Sequence, residues 1–377
     1  MAGTSVRIGS LFGVEIRIDG SWLVIAVLIG WSLFIQFRAN FPTMGPGEAM
    51  VLGGVSAILF FGSVLVHELS HSLVARRLGI EVAGITLFLF GGVTETKMEA
   101  QSPGDEFRIA VVGPLTSFLL AGVFWGLVVG LRPWLSEPVA FGLGYLALVN
   151  LILGAFNLLP GLPLDGGRVL RSILWKTSGS LTRATRNAAL GGRMVAATLI
   201  TLGILQVFAG NLGGLWLAVI GWFLYQAATA SIQEAAVRRL LRGVRAGDLM
   251  SPNPVTVPAD LRLAEAIDEY FLRYDHSAFP VDDDGRTTGL LTLRAVRQIP
   301  RDEWSHRQVW ATMARIEDVP TVPADLSMEA VLERLRSQEI DRVLVIEGER
   351  VVGIITPRDV ARWVQRSEEL GLTSTQG

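Results

Sequence analysis

Residues 58–71 read ILFFGSVLVHELSH. The stretch decides the fold because it joins an uncharged apolar run to two histidines flanking an acid. On a helix, positions i and i+4 lie on one face. His67 and His71 can therefore share one metal ion, and Glu68 can reach water held there as a general base. Only four histidines exist in the 377 residues, so two of them in five positions is informative. A solvated helix carries such a pattern at little cost. A lipid-spanning helix does not, because polar side chains in hydrocarbon are expensive and mark functional sites. A catalytic zinc with two histidine ligands also needs a third protein ligand and one open position.

Working outward, the composition agrees with a membrane setting. Half of the residues are hydrophobic and 18% are charged, where soluble domains carry about 25%. The mean hydropathy is +0.44. The net charge of -2 gives no global attraction to nucleic acid, so none is expected as a partner. There is no cysteine. Disulfides, thiolate metal sites and a cysteine nucleophile are excluded, which leaves histidine and carboxylate as metal ligands. The first 20 residues lack an apolar run ending in a small-residue cleavage site, so no removable signal peptide is expected.

Six runs are long enough to cross a bilayer as helices: 20–37, 50–75, 107–131, 139–159, 194–210 and 213–234. The connections alternate in charge. Arg7 and Arg17, then Arg76, Arg77 and Lys97, then Arg168, Arg171, Lys176, Arg183 and Arg186, and finally Arg238, Arg239, Arg242 and Arg245 fall on one side. The other side holds Arg38 and Arg132. The excess of basic residues predicts both termini in the cytoplasm, with the chain a multi-pass protein of the plasma membrane.

Residues 82–95, VAGITLFLFGGVTE, alternate around Gly91-Gly92 and read as a short β-hairpin. Non-helical backbone at membrane depth must be buried in protein or line a water-filled cavity. Beyond residue 245 the chain becomes charged and repeats itself. VTVPADLRLAEAI (255–267) matches TVPADLSMEAVL (321–332), and GLLTLRAV (289–296) matches GIITPRDV (353–360). Each copy reads strand, helix, strand, strand, helix, and copies of this length pair to cover a shared apolar face. The expected organisation is a transmembrane domain over 1–235, a basic linker at 236–245, α/β copies at 246–304 and 310–368, and a tail at 369–377.

The third ligand is sought in NLLPGLPLDGGR, residues 157–168. Asp165 is expected at the end of the fourth spanning segment, where two prolines break the helix. A D-G-G triplet alone is a common turn. Beside an intramembrane H-E-x-x-H that lacks a third ligand, Asp165 becomes the candidate.

H-E-L-S-H in a membrane helix, V-V-G-P-L at 111–115 and N-L-L-P-G-L-P-L-D-G-G-R together resemble the site-2 protease family of intramembrane metalloproteases, peptidase family M50. The repeat resembles the branch with a C-terminal pair of CBS modules. The resemblance implies one Zn2+ per chain held by His67, His71 and Asp165, with Glu68 as general base. It implies that Asn157 helps to position substrate or the developing oxyanion, though a polar side chain there can equally bond a neighbouring helix. It implies that the Gly91-Gly92 hairpin is a membrane-inserted strand pair that meets an unwound substrate. The substrate would be a transmembrane segment of another protein, cut by regulated intramembrane proteolysis.

CBS pairs commonly bind adenine nucleotides through G-h-x-[ST]-x-x-[DN]. Gly353, Thr356 and Asp359 fit this pattern, whereas the first copy has Gly289 and Thr292 but Ala295 in place of the acid. A CBS pair that only forms a homodimer is the alternative, with Asp359 favoured by the helix dipole. Two other readings of the whole chain were weighed. A CBS-containing transporter or channel would spread polar residues along several helices, and here they concentrate in two motifs. A proteolytically inactive membrane-protein binder would not need Glu68.

Overall fold

The computed structural model describes residues 5–96, 100–337, 342–348 and 350–370. Lys97 and residues 371–377 of the expected tail lie outside these, as do the side chains of Arg238 and Arg239. The chain divides into two compact units, residues 1–235 and 236–377.

The first unit opens with strands β1 (Val6–Leu11) and β2 (Val14–Ile18), followed by helices α1 (Gly20–Asn40) and α2 (Pro46–Arg77). Strands β3 (Val82–Phe88) and β4 (Gly91–Thr96) come next, then α3 (Pro103–Leu131), α4 (Glu137–Asn157), α5 (Asp165–Ser178), α6 (Leu181–Phe208) and α7 (Gly213–Leu241), which runs past the division. Among the described residues, six helices are long and apolar enough to cross a membrane: α1, α2, α4, α6, α3 with its short continuation to Trp134, and α7 as far as Val237. Each contains one expected span or most of it. Polar side chains cap the starts of two of them, α1 and α3. Asp19 accepts the Ser21 N–H at 2.9 Å ahead of α1, and Ser102 accepts the Asp105 N–H at 3.1 Å ahead of α3.

The expected hairpin is present as β3 and β4, but it does not stand alone. The strands form one sheet in the order β1-β2-β3-β4, with β2 and β3 parallel and the other pairs antiparallel. The N-terminal hairpin is not among the sequence expectations, in which Arg7 and Arg17 count only as basic residues of the first connection. Val14, Ile85 and Leu87 of the sheet pack with Val64 and Leu69 of α2 into one buried cluster. The sheet is thereby fixed against the helix that carries H-E-L-S-H, and β4 is left as an edge strand.

Asp165 also differs in context from expectation. It does not end the fourth span, which stops at Asn157; it is the first residue of α5. That helix was read as a loop because Arg168, Arg171 and Lys176 look solvated in sequence. Residues 158–164, which lead into α5, are held tightly. A Cβ at Gly192 of α6 would fall on the Leu162 carbonyl, and one at Gly167 on the Gly161 backbone. Only glycine permits backbones this close.

The second unit contains α8 (Ala246–Leu249), β5 (Ser251–Pro252), β6 (Val257–Pro258), α9 (Leu263–Ala266), β7 (Ala278–Asp283), β8 (Arg286–Thr292) and α10 (Leu293–Val296). It continues with β9 (Ala314–Arg315), β10 (Thr321–Pro323), α11 (Met328–Ser337), β11 (Val343–Glu347), β12 (Arg350–Ile355) and α12 (Pro357–Glu369). The two copies exchange edge strands. Sheet β6-β7-β8-β9 ends on a strand from the start of the second copy, and sheet β10-β11-β12-β5 ends on one from the start of the first. Each copy has its own apolar core. A third cluster of Ala278, Leu290, Val319 and Leu344 lies between the copies. The repeat pairs because neither copy covers that face alone. Val237 and Leu241, at the end of α7, pack into the core of the second copy.

Candidate metal centre

His67 and His71 stand one turn apart on α2, with their side chains on the face turned to α3 and α5. Their Nε2 atoms are 3.2 Å apart, and each is 3.1 Å from Oδ2 of Asp165. All three residues are buried, at 3%, 4% and 9% exposure. They are the one group among the described residues in which at least three histidine, aspartate or glutamate side chains converge closely enough for a metal ion. Ligand atoms around a tetrahedral zinc with bonds of about 2.0–2.1 Å lie about 3.3–3.4 Å apart. The observed triangle is only slightly tighter.

The surrounding bonds determine what these atoms can do. His71 Nδ1 lies 2.6 Å from the Ile109 carbonyl, which can only accept, so this nitrogen donates. In the neutral imidazole Nε2 then carries a lone pair, and it faces the carboxylate oxygen of Asp165. Acceptor facing acceptor at 3.1 Å in a buried site calls for a cation between them. His67 Nδ1 lies 2.9 Å from the Ser117 hydroxyl, which turns the ring so that its Nε2 joins the same triangle. The donor set and its orientation therefore fit zinc.

Helix α3 makes the room. A Cβ at Gly113 would fall on both imidazole Nε2 atoms, so glycine keeps that space open. Pro114 lies inside the helix. It lacks an N–H, so the Ala110 carbonyl one turn back has no donor at that position of the helix; the neighbouring Ile109 supplies the carbonyl bonded by His71. Within the V-V-G-P-L stretch that carries part of the family resemblance, Gly113 thus has a physical role beside the two imidazoles. Ser117 was missed. Its signal was a hydroxyl one turn beyond Gly113 on an otherwise apolar helix.

Glu68 is partly buried beside the triangle. The Thr94 hydroxyl of β4 donates to its Oε2 at 3.0 Å, and a Cβ at Gly92 would meet its Cγ. The hairpin thus holds the acid in place from the edge strand. A cavity of about 390 Å³ is lined by His67, Glu68, His71, Gly92, Thr94, Asn157, Asp165 and Arg168, among others. Gly91 begins the strand with φ 134°. Asn157 reaches the cavity wall, and its side-chain NH2 donates to the Leu153 carbonyl at 3.1 Å.

In the second unit, Thr356 immediately precedes α12 and Asp359 stands in the helix's first turn. Asp359 Oδ2 accepts from the Thr356 N–H at 2.8 Å and from its hydroxyl at 2.7 Å. Oδ1 accepts from the Ser251 hydroxyl at 2.7 Å. A Cβ at Gly353 would meet the Met250 side chain. The three residues expected to hold a nucleotide are close together, but the acid is already bonded within the chain. In the first copy the bond runs the other way: the Thr292 hydroxyl accepts from the Ala295 N–H and caps α10.

A model of peptidase family M50 matches residues 55–142 and 134–202, and a CBS-domain model matches 246–301 and 311–366. The protein named "Putative zinc metalloprotease Rip3" from Mycobacterium tuberculosis is 41% identical over 96% of this chain and 93% of its own. The chain belongs to peptidase family M50. A second relative of this M50 chain, "Putative zinc metalloprotease sll0528" from Synechocystis, is 35% identical over 96% of each sequence. Among solved structures, the site-2 protease from Methanocaldococcus jannaschii is 30% identical, covering 60% of the M50 chain and 95% of its own, with a TM-score of 0.44.

Proposed function

We propose that this chain is an intramembrane zinc endopeptidase that cleaves transmembrane segments of other membrane proteins. One observation carries the reading: His67 and His71, two of three converging metal-binding side chains, and a positioned glutamate lie on a helix long and apolar enough to span a bilayer. His67, His71 and Asp165 would hold one zinc ion. Bound there, zinc supplies a Lewis acid that polarises a carbonyl and acidifies water.

The chain's own residues supply the rest. Glu68 removes a proton from the attacking water and returns it to the departing amine. Thr94 keeps one carboxylate oxygen of Glu68 occupied, so the other faces the cavity. Asn157 on the cavity wall can donate to a substrate carbonyl once it exchanges its bond to Leu153. A peptide in a helix shields its own amides, so the substrate must be unwound locally. The free edge of β4 offers an extended segment a backbone ladder beside Glu68, which supports a membrane-inserted role for the hairpin. The basic connections support cytoplasmic termini and a plasma-membrane location.

The second unit is assigned as a regulatory or dimerising CBS pair. Adenine nucleotide is the candidate ligand at Gly353, Thr356 and Asp359, and binding there has to displace the Ser251–Asp359 bond. Titration calorimetry of the full chain with ATP, ADP and AMP tests this, and absence of heat with all three removes the nucleotide. The main experiment is zinc analysis together with cleavage of a membrane-protein substrate by wild type and Glu68→Gln. Loss of cleavage by about a hundredfold or more with zinc retained is the expected result. Equal cleavage by both defeats the mechanism.

A further inference from the structure

Two arginines follow Asp165 on α5 and line the same cavity, but their surroundings differ. Arg171 Nε donates to Glu106 Oε1 at 2.6 Å, and Glu106 is 1% exposed. That pair ties α5 to α3 and neutralises itself. Arg168 lies three residues after Asp165, on the same side of the helix. It is half-buried, and among the described residues no hydrogen bond or ion pair engages it. It is near enough to His71 to act on it electrostatically. A guanidinium does not lose its proton at any physiological pH, and leaving one partly desolvated without a partner is costly.

The charges of the cavity sharpen the point. A divalent ion balances Asp165 and Glu68, and Arg171 balances Glu106. The charge of Arg168 remains. A peptide bond entering the site is neutral, so substrate does not answer that charge. Negative charge arises only as the bond is hydrolysed. Water adds across the C–N bond, the amine leaves with a proton delivered by Glu68, and the new acid on the N-side fragment ionises by releasing its proton to solvent.

We propose that Arg168 binds the carboxylate of the N-side product and, before it, the negative charge growing on the scissile carbonyl oxygen. The proposal rests on the hydrolase reading above. A planar guanidinium suits both species, because it can offer two parallel N–H donors. Interactions that strengthen only as charge develops raise the rate rather than substrate affinity. Arg168 is thus a further catalytic residue, distinct from the metal ligands and the base.

The test uses the full-length, zinc-loaded Glu68→Gln chain in detergent, which removes turnover. The probe is acetyl-trileucine, as free acid and as carboxamide, with binding followed by thermophoresis. The acid should bind more tightly than the amide. Adding Arg168→Gln should weaken the acid by about ten- to a hundredfold and leave the amide unchanged. Arg168→Lys should recover part of the loss, and zinc content should stay equal in all three. In the Glu68 background, Arg168→Gln should lower kcat with KM nearly constant. No preference for the acid, equal loss for acid and amide, or loss of zinc with Arg168 would overturn the proposal. Cleavage by Glu68→Gln at the wild-type rate instead defeats the hydrolase mechanism, so the two failures are distinguishable.

Discussion

Two buried acids stand in the first turn of a helix in this molecule, Asp165 in the membrane unit and Asp359 in the CBS unit. Asp359 is surrounded by donors: the Thr356 N–H, the Thr356 hydroxyl and the Ser251 hydroxyl. Its charge is met within the chain, and the result is a capped helix. Asp165 is surrounded by two imidazole nitrogens, and for His71 the bond to Ile109 leaves a lone pair facing the carboxylate. Its charge is met by a bound cation or by a proton on an imidazole. The same residue type at similar depth is thus a structural cap in one unit and, in the function proposed above, a ligand in the other. The neighbours' hydrogen-bonding capacity makes the difference, not burial.

That contrast can be broken by experiment. Asp165→Asn should remove most bound zinc, and cleavage should disappear with it; metal analysis showing about one zinc per chain in this variant would place the ion elsewhere. Gly113→Ala places a methyl group against both imidazoles. Overpacking of this kind costs about 1–3 kcal/mol, so zinc affinity should fall by about ten- to a hundredfold in a competition assay with a chelator. Ser117→Ala leaves the triangle in place but frees the His67 ring. A loss of about tenfold in zinc affinity is expected, at the low end for a group that orients a ligand. Asp359→Ala should leave zinc and cleavage unchanged. Losing the cap should cost about 1–2 kcal/mol, seen as about five- to thirtyfold faster hydrogen exchange in the first turn of α12. A change in zinc content on Asp359→Ala would mean that the two acids are not independent.

The pair His67 and His71 and the adjacent Glu68 were legible in sequence because helical spacing alone puts them together. The six spans were legible from uncharged length. Asp165 was legible only as a need, since a D-G-G triplet reads as a turn until a metal site lacks a ligand. What escaped was whatever depends on a neighbour distant in sequence. Helix α5 looked like a loop because Arg168 and Arg171 look solvated, while Arg171 is half-buried and paired with the buried Glu106. Thr94 looked like an ordinary strand residue until the sheet docked on α2 and put it 3.0 Å from Glu68. Strand β1 gave no periodic signal, because six residues with both faces exposed carry no inside-outside pattern. In the second unit the repeat revealed the pairing of copies, but not the exchange of edge strands, which local pattern does not encode.

The glycines around the 158–164 segment carry a consequence for how this protein tolerates change. At Gly161, Gly167 and Gly192 an added Cβ would fall on backbone atoms of the opposing segment rather than on a side chain able to rotate away. Alanine, elsewhere the mildest replacement in a helix, becomes one of the harshest here. A substitution library would therefore find two kinds of invariant position near the metal: those that touch it, and three that hold no chemistry and whose only property is being small.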